Sequence, residues 1–150
     1  MNDKNFFDTN VIVYLYSEDE KRKKNISQKI VNTCALPTIS SQVVNELISV
    51  LSKKFKLDWG EIEQVLNEIT NSFSIELVRM FDIQIACEIA KRYKYSYFDS
   101  LMLASALSCD ASIIYSEDMQ HSQIIENKLK IINPFLKSSL DSQIGLSDIR

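Results

Sequence analysis

Carboxylates are the side chains in this sequence best able to do chemistry. Asp8 ends the apolar run Asn5-Phe6-Phe7-Asp8, Glu46 lies in Ser41-Gln42-Val43-Val44-Asn45-Glu46, Asp99 opens the stretch Phe98–Leu107, and Asp118 closes Ser116-Glu117-Asp118. Acids gathered at about 4 Å repel by roughly 1–4 kcal/mol per pair, depending on the effective dielectric. A cluster of them therefore takes up protons or encloses a cation. Mg2+ and Mn2+ prefer such hard oxygen donors, and they can activate water and stabilise charge on a phosphate. Other chemistries lack their residues. A single histidine, His121, excludes H-E-x-x-H and poly-histidine zinc sites, and two glycines, Gly60 and Gly145, cannot build a glycine-rich phosphate cradle. The three cysteines, Cys34, Cys87 and Cys109, have neither zinc spacing nor the even count of a disulfide framework, and they read as reduced thiols.

Each acid also has an ordinary reading. Asp8 and Asp99 both precede or open helices, where a cap contributes about 1 kcal/mol and the helix dipole about 0.3–1 kcal/mol. Asp118 is a turn acid. Glu46 falls roughly 120° from the centre of its helix's apolar stripe, on the flank between core and solvent.

The elements that must position these acids alternate. Asn5–Asp8 reads as a strand, followed by a polar turn and a helix over Val11–Tyr16 that Thr9 or Asn10 could cap. Ser17–Thr33 reads as a second helix with Ile26, Ile30 and Val31 inward and Lys21-Arg22-Lys23-Lys24 toward solvent. Leu36–Ser40 fits a short strand, and Ser41–Phe55 is helical, with Val43, Val44, Leu47, Ile48, Val50 and Leu51 at helical spacing. Asp58 caps the next helix. Ser74–Val78 alternates like a strand, and Asp82–Tyr93 is helical. Phe98–Leu107 is apolar around its whole circumference and so predicts a buried helix. Ser112–Tyr115 and Leu129–Ile132 complete the strands.

Strands separated by helices predict an α/β fold with a mainly parallel central sheet flanked by helices. In such sheets functional groups gather beyond the carboxyl ends of the strands, which is where Asp8 and Asp118 fall. The 150 residues, 45% apolar and 25% charged, suffice for one domain over residues 1–137, with a polar, loosely held tail over 138–150. Net charge is −3, which argues against coating nucleic acid by bulk electrostatics and leaves an acidic nuclease site open. No stretch reaches the roughly 18 apolar residues of a membrane span, and no signal peptide is visible, so the expected location is the cytoplasm.

Taken in order, the motifs resemble those of the PIN-domain family of metal-dependent ribonucleases, and within it the VapC-type toxins of bacterial toxin–antitoxin pairs. The resemblance rests on Phe7-Asp8-Thr9-Asn10, the segment Ser41–Glu46, Phe98-Asp99-Ser100-Leu101-Met102-Leu103-Ala104-Ser105-Ala106, Tyr115-Ser116-Glu117-Asp118-Met119-Gln120-His121 and Ile131-Ile132-Asn133-Pro134-Phe135. It implies a single PIN-like domain in which Asp8, Glu46, Asp99 and Asp118 form an acidic quartet and Asn10 and Ser116 support it by hydrogen bonding. With it come Mg2+ or Mn2+ on Asp8, Asp99 and Asp118, and Glu46 holding or activating water. Cleavage of RNA to a 5′-phosphate and a 3′-hydroxyl is implied, as are a cognate antitoxin and a homodimer. The sequence departs from the family pattern where members carry a further acid shortly after the fourth. Gln120-His121-Ser122 stands there instead, which bears on a second metal more than on the first. His121 reads as a substrate contact or a surface polar residue.

Other readings divide on particular residues. A haloacid-dehalogenase-type phosphatase needs an aspartate two positions after Asp8, where Asn10 stands, and a response-regulator receiver needs paired acids and a late lysine that have no place here. A PIN-fold nuclease of ordinary RNA processing and an inactive binding module of the same fold both remain open. An adjacent reading frame encoding a DNA-binding antitoxin separates the toxin from the first, and failure to bind manganese favours the second. The basic clusters Lys21–Lys24, Lys53-Lys54-Phe55-Lys56 and Lys91-Arg92-Tyr93-Lys94 either solubilise the surface or track RNA phosphates. The latter predicts activity that falls steeply with salt.

Overall fold

The computed structural model describes residues 4–137, so the proposed 138–150 tail lies outside the described residues. The elements run β1 (Lys4–Phe7), α1 (Thr9–Tyr14), α2 (Lys21–Asn32), β2 (Leu36–Ser40), α3 (Ser41–Lys53), α4 (Trp59–Ser72), β3 (Ser74–Glu76), α5 (Met80–Tyr93), α6 (Tyr97–Ser108), β4 (Ile113–Tyr115), β5 (Ile124–Ile125) and β6 (Leu129–Ile132). One sheet of order β3-β2-β1-β4-β6-β5 joins them, parallel throughout except for the β5–β6 pair. The chain steps outward from β1 to β3 and then returns to β4, and the right-handed rule for parallel crossovers puts the helices of the two directions on opposite faces. The strands in the middle are thus covered on both sides. Phe6, Phe7, Ile39, Ile114 and Ile131 are accordingly buried.

The apolar circumference of α6 does what it predicts: Ser100 to Ala106 are all buried, with the helix packed on α5, β2 and β4. Burial of α6 fixes its amino-terminal turn, and with it Asp99, against the sheet edge. Phe7 stacks on Tyr115 at 5.3 Å between centroids and meets Phe73 edge-on at 6.1 Å, which locks β1 to β4 just below Asp8.

Three expectations are corrected locally. The second helix begins at Lys21, not Ser17, because the Ser17 hydroxyl accepts from the Glu20 amide in a turn that ends before the helix. The first helix begins at Thr9, and its cap is Asp8, whose carboxylate accepts from the Thr9 amide at 2.7 Å. Strand β5 has no counterpart in the sequence reading. It pairs with β6 across a tight turn in which Glu126 and Asn127 both adopt positive φ and Lys128 donates to the Ile125 carbonyl. That is type I′ geometry, usually signalled by Asn-Gly or Asp-Gly, and Glu-Asn carries no such signal.

Candidate active site

Strand order reverses between β1 and β4, and this switch point opens a crevice at the carboxyl edge of the sheet. The register Phe7↔Tyr115 puts the ends of both strands level, and the Asp8 amide donates to the Tyr115 carbonyl at 2.9 Å. Asp8 and the Ser116–Asp118 loop therefore leave the sheet side by side. Glu46 comes from the second turn of α3, which starts directly after β2. Asp99 comes from the first turn of α6, capped by Ser96, whose hydroxyl accepts from the Asp99 amide at 3.2 Å.

All four carboxylates line one cleft of about 250 Å3, together with Thr9, Asn10, Gln42 and Phe98. Asp8 is the buried member, 6% exposed, while Glu46 and Asp99 are half-buried and Asp118 is exposed. Each of three acids is held by a neutral donor. The Ser116 hydroxyl, fully buried, donates to Asp8 Oδ2 at 2.7 Å and also accepts from the Asp118 amide at 3.2 Å. Asn10 Nδ2 donates to Asp118 Oδ2 at 2.9 Å. The Thr9 hydroxyl donates to Glu46 Oε1, and Gln42 Nε2 donates to Glu46 Oε2 at 3.2 Å.

Neutral donors aim carboxylates without cancelling their charge, and the titration behaviour reflects this. Burial pushes Asp8 up from 3.8 to about 6, helped by the charges of Asp118 and Asp99 and opposed by the bonds from Ser116 and Thr9. Burial also raises Asp99, with the charges of Asp118 and Glu46 adding to the effect. Asp118 is raised by burial and by neighbouring Glu117, against the Asn10 bond and the more distant Lys23. The acids thus act on one another across the cleft.

Among the described residues, no lysine, arginine or histidine lines this cleft. Lys23 folds back to pair with Glu117 at 2.8 Å and lies over the Tyr14 and Phe135 rings, and Arg92 pairs with Glu126 on another face. His121 also stays outside the cleft, its Nδ1 accepting from the Asn133 amide at 2.9 Å. The sequence reading did not single out Gln42 or Phe98, and it read Thr9 as a cap and motif residue. The available signals were weak: Gln42 precedes Glu46 by one helical turn, and Phe98 adjoins Asp99.

The donor set fits a hard divalent cation: four carboxylates face one cleft and, among the described residues, no cation lines it to balance them. Among the described residues, no three histidine, cysteine, aspartate or glutamate side chains are grouped tightly enough to ligate one ion by themselves. Mg2+ commonly takes one or two carboxylates and retains several waters, so such a set suits an ion held partly through water.

Ser116→Ala tests the hydroxyl at the centre of this arrangement. It leaves a buried carboxylate and the Asp118 amide each short of a partner, which costs about 1–3 kcal/mol. Stability to urea at pH 7.5 is expected to fall by that amount. At pH 4.5, where Asp8 is mostly protonated in the folded chain, the difference from the parent is expected to narrow.

The model of the PIN domain family matches residues 6–126. No curated protein sequence matches. Among solved structures, a toxin–antitoxin complex from Klebsiella pneumoniae is similar at a TM-score of 0.66 and 18% identity, covering 87% of this chain and 98% of that one. The Mycobacterium tuberculosis toxin VapC20, which cleaves the sarcin–ricin loop, is similar at 0.63 and 17%, over 75% and 88%. VapBC2 from Rickettsia felis bound to a promoter DNA fragment is similar at 0.63 and 17%, over 87% and 99%. At these identities the likeness is one of fold.

Proposed function

Because this chain belongs to the PIN-domain family, we propose that it is a metal-dependent ribonuclease and the toxin of a toxin–antitoxin pair. The observation that carries this reading is the convergence of Asp8, Glu46, Asp99 and Asp118 on a cleft that no cation among the described residues lines. In this reading Asp8, Asp99 and Asp118 hold Mg2+ or Mn2+ directly or through water. When bound, the ion acidifies water and offsets charge building on the phosphate.

The chain's own groups do the rest. Ser116 and the Thr9 amide keep Asp8 aimed, and Asn10 does the same for Asp118. Glu46, held by Thr9 and Gln42, takes the proton of the attacking water. The water oxygen bonds to phosphorus, the P–O3′ bond breaks, and O3′ takes a proton from solvent. The products are a 5′-phosphate and a 3′-hydroxyl.

The toxin assignment draws on the similar folds of a toxin–antitoxin complex, a VapC toxin and a VapBC complex. A cognate antitoxin laid across the cleft would satisfy the carboxylates with an arginine, whose fork matches them. The reading includes a homodimer.

The test incubates the purified chain with structured and unstructured RNAs in Mg2+ or Mn2+, beside an EDTA arm and an Asp8→Asn arm. Cleavage is expected only in the metal arm of the parent chain. Cleavage that persists in either control overturns the mechanism. Induced expression is expected to stall growth, and expression of Asp8→Asn to leave it unaffected.

A further inference from the structure

We propose that Phe98 is a stacking platform for an unpaired nucleobase of the RNA that enters the acidic cleft. This rests on the ribonuclease reading and adds a substrate-positioning residue to it. Phe98 lines the same cleft as the four carboxylates, yet its side chain is 63% exposed. Directly after Asp99, the residues of α6 from Ser100 to Ala106 are buried, so the ring projects from a fixed helix end.

Its mount is rigid while its surface is bare. Gln42 Nε2 donates to the Phe98 carbonyl at 3.1 Å, and Tyr97 braces the ring in an edge-to-face contact at 5.2 Å between centroids. Gln42 is itself only 8% exposed and also donates to Glu46. One buried amide thus fixes the Phe98 backbone, from which the ring projects, relative to the carboxylate assigned to the attacking water. A ring so placed can set which phosphate meets the acids.

Charge explains why such a contact is needed. A polyanion entering this cleft finds no lysine, arginine or histidine among the described residues of its lining. Stacking of a base on an aromatic face needs no countercharge and tolerates any base. Paired bases in a helix have both faces covered by neighbours, so only a base outside a duplex can present its face to the ring.

Two measurements on the full chain test this. The first is steady-state cleavage of a single-stranded RNA in Mn2+. The second is binding of that RNA, carrying 2-aminopurine, to the slow Glu46→Gln background, where stacking quenches the probe. Phe98→Ala is expected to raise KM and Kd about tenfold or more, with kcat within about twofold, and to abolish the quench. Phe98→Trp is expected to restore all three, and Phe98→Leu to behave like alanine because it has no π face. Annealing the RNA into a duplex is expected to remove the quench. Since the side chain is exposed, melting temperatures are expected to stay together.

An unchanged KM and quench in Phe98→Ala overturn the proposal, as does rescue by leucine equal to that by tryptophan. A change in the chain's sedimentation mass in Phe98→Ala, with RNA binding intact, assigns the ring to a contact between copies and also overturns it. Cleavage without dependence on Phe98 removes the platform and leaves the ribonuclease standing. A Phe98-dependent quench without hydrolysis by the parent chain does the reverse. Absence of both removes the two together.

Discussion

Asp8→Asn is expected to melt higher than the parent chain at pH 8 while losing RNA hydrolysis. The two effects have one cause. Asp8 is buried with no cationic partner among the described residues, and its carboxyl is pushed from 3.8 to about 6. A folded-state value above the unfolded one means that ionisation opposes folding. The opposition is absent below about pH 4, grows as pH rises toward 6, and is complete above it. The difference between the two values corresponds to about 3 kcal/mol. Asparagine has the same shape, carries no charge, and keeps one oxygen for the Ser116 hydroxyl or the Thr9 amide. Some hydrogen bonding is lost, so a net gain of about 1–2 kcal/mol remains, or about 2–8 °C.

Thermal melts at pH 4.5 and 8, with and without Mn2+, check it. The advantage is expected to shrink at pH 4.5, and Mn2+ is expected to reverse the order at pH 8. An ion at a hundred times its Kd stabilises the parent by about 2.7 kcal/mol, and the variant lacks the ligand proposed for it. A variant that melts below the parent at pH 8 without metal would sink the account of Asp8 as a strained, functional carboxylate.

Glu46→Gln is expected to lower the cleavage rate by about 10²- to 10⁴-fold, the range for a general base, while leaving stability and Mn2+ binding near those of the parent. The new amide can be accommodated. Its oxygen accepts from Gln42 Nε2, and its nitrogen donates to the Thr9 oxygen, whose hydroxyl can turn. Stability is expected to change by no more than about 0.5 kcal/mol. Single-turnover cleavage and the Mn2+ shift in melting temperature are the two readouts. Asp8→Asn loses both and Glu46→Gln loses only the first, which separates a metal ligand from a proton acceptor. Loss of the Mn2+ shift in Glu46→Gln makes Glu46 a ligand, and an undiminished rate removes it from the chemistry.

Local pattern carries these assignments only so far. The all-round apolarity of Phe98–Leu107 announces a buried helix because no amphipathic face remains for water, and α6 is buried along Ser100–Ala106. An apolar run ending in an acid likewise announces β1 and Asp8. The helix proposed to start at Ser17 begins four residues later, since a hydroxyl at Ser17 serves a turn as readily as a helix cap. Strand β5 escapes altogether, because two residues carry no period and its turn uses Glu126 and Asn127.

Element types and their order were legible in the sequence, because backbone preference and apolar periodicity act between near neighbours, while the four acids were singled out together only by the resemblance of their motifs to the PIN family. Which face each acid turns, and what holds it, was decided by tertiary structure. Thr9 reaches Glu46, Asn10 reaches Asp118 and Ser116 reaches Asp8 only because β1 and β4 lie side by side while α3 and α6 begin at their edge. The raised carboxyl of Asp8, the lack of a cation among the described residues of the cleft lining and the bare ring of Phe98 belong to the same level. Desolvation, charge proximity and exposure are sums over atoms brought together from distant parts of the chain, and spacing along the backbone does not encode them.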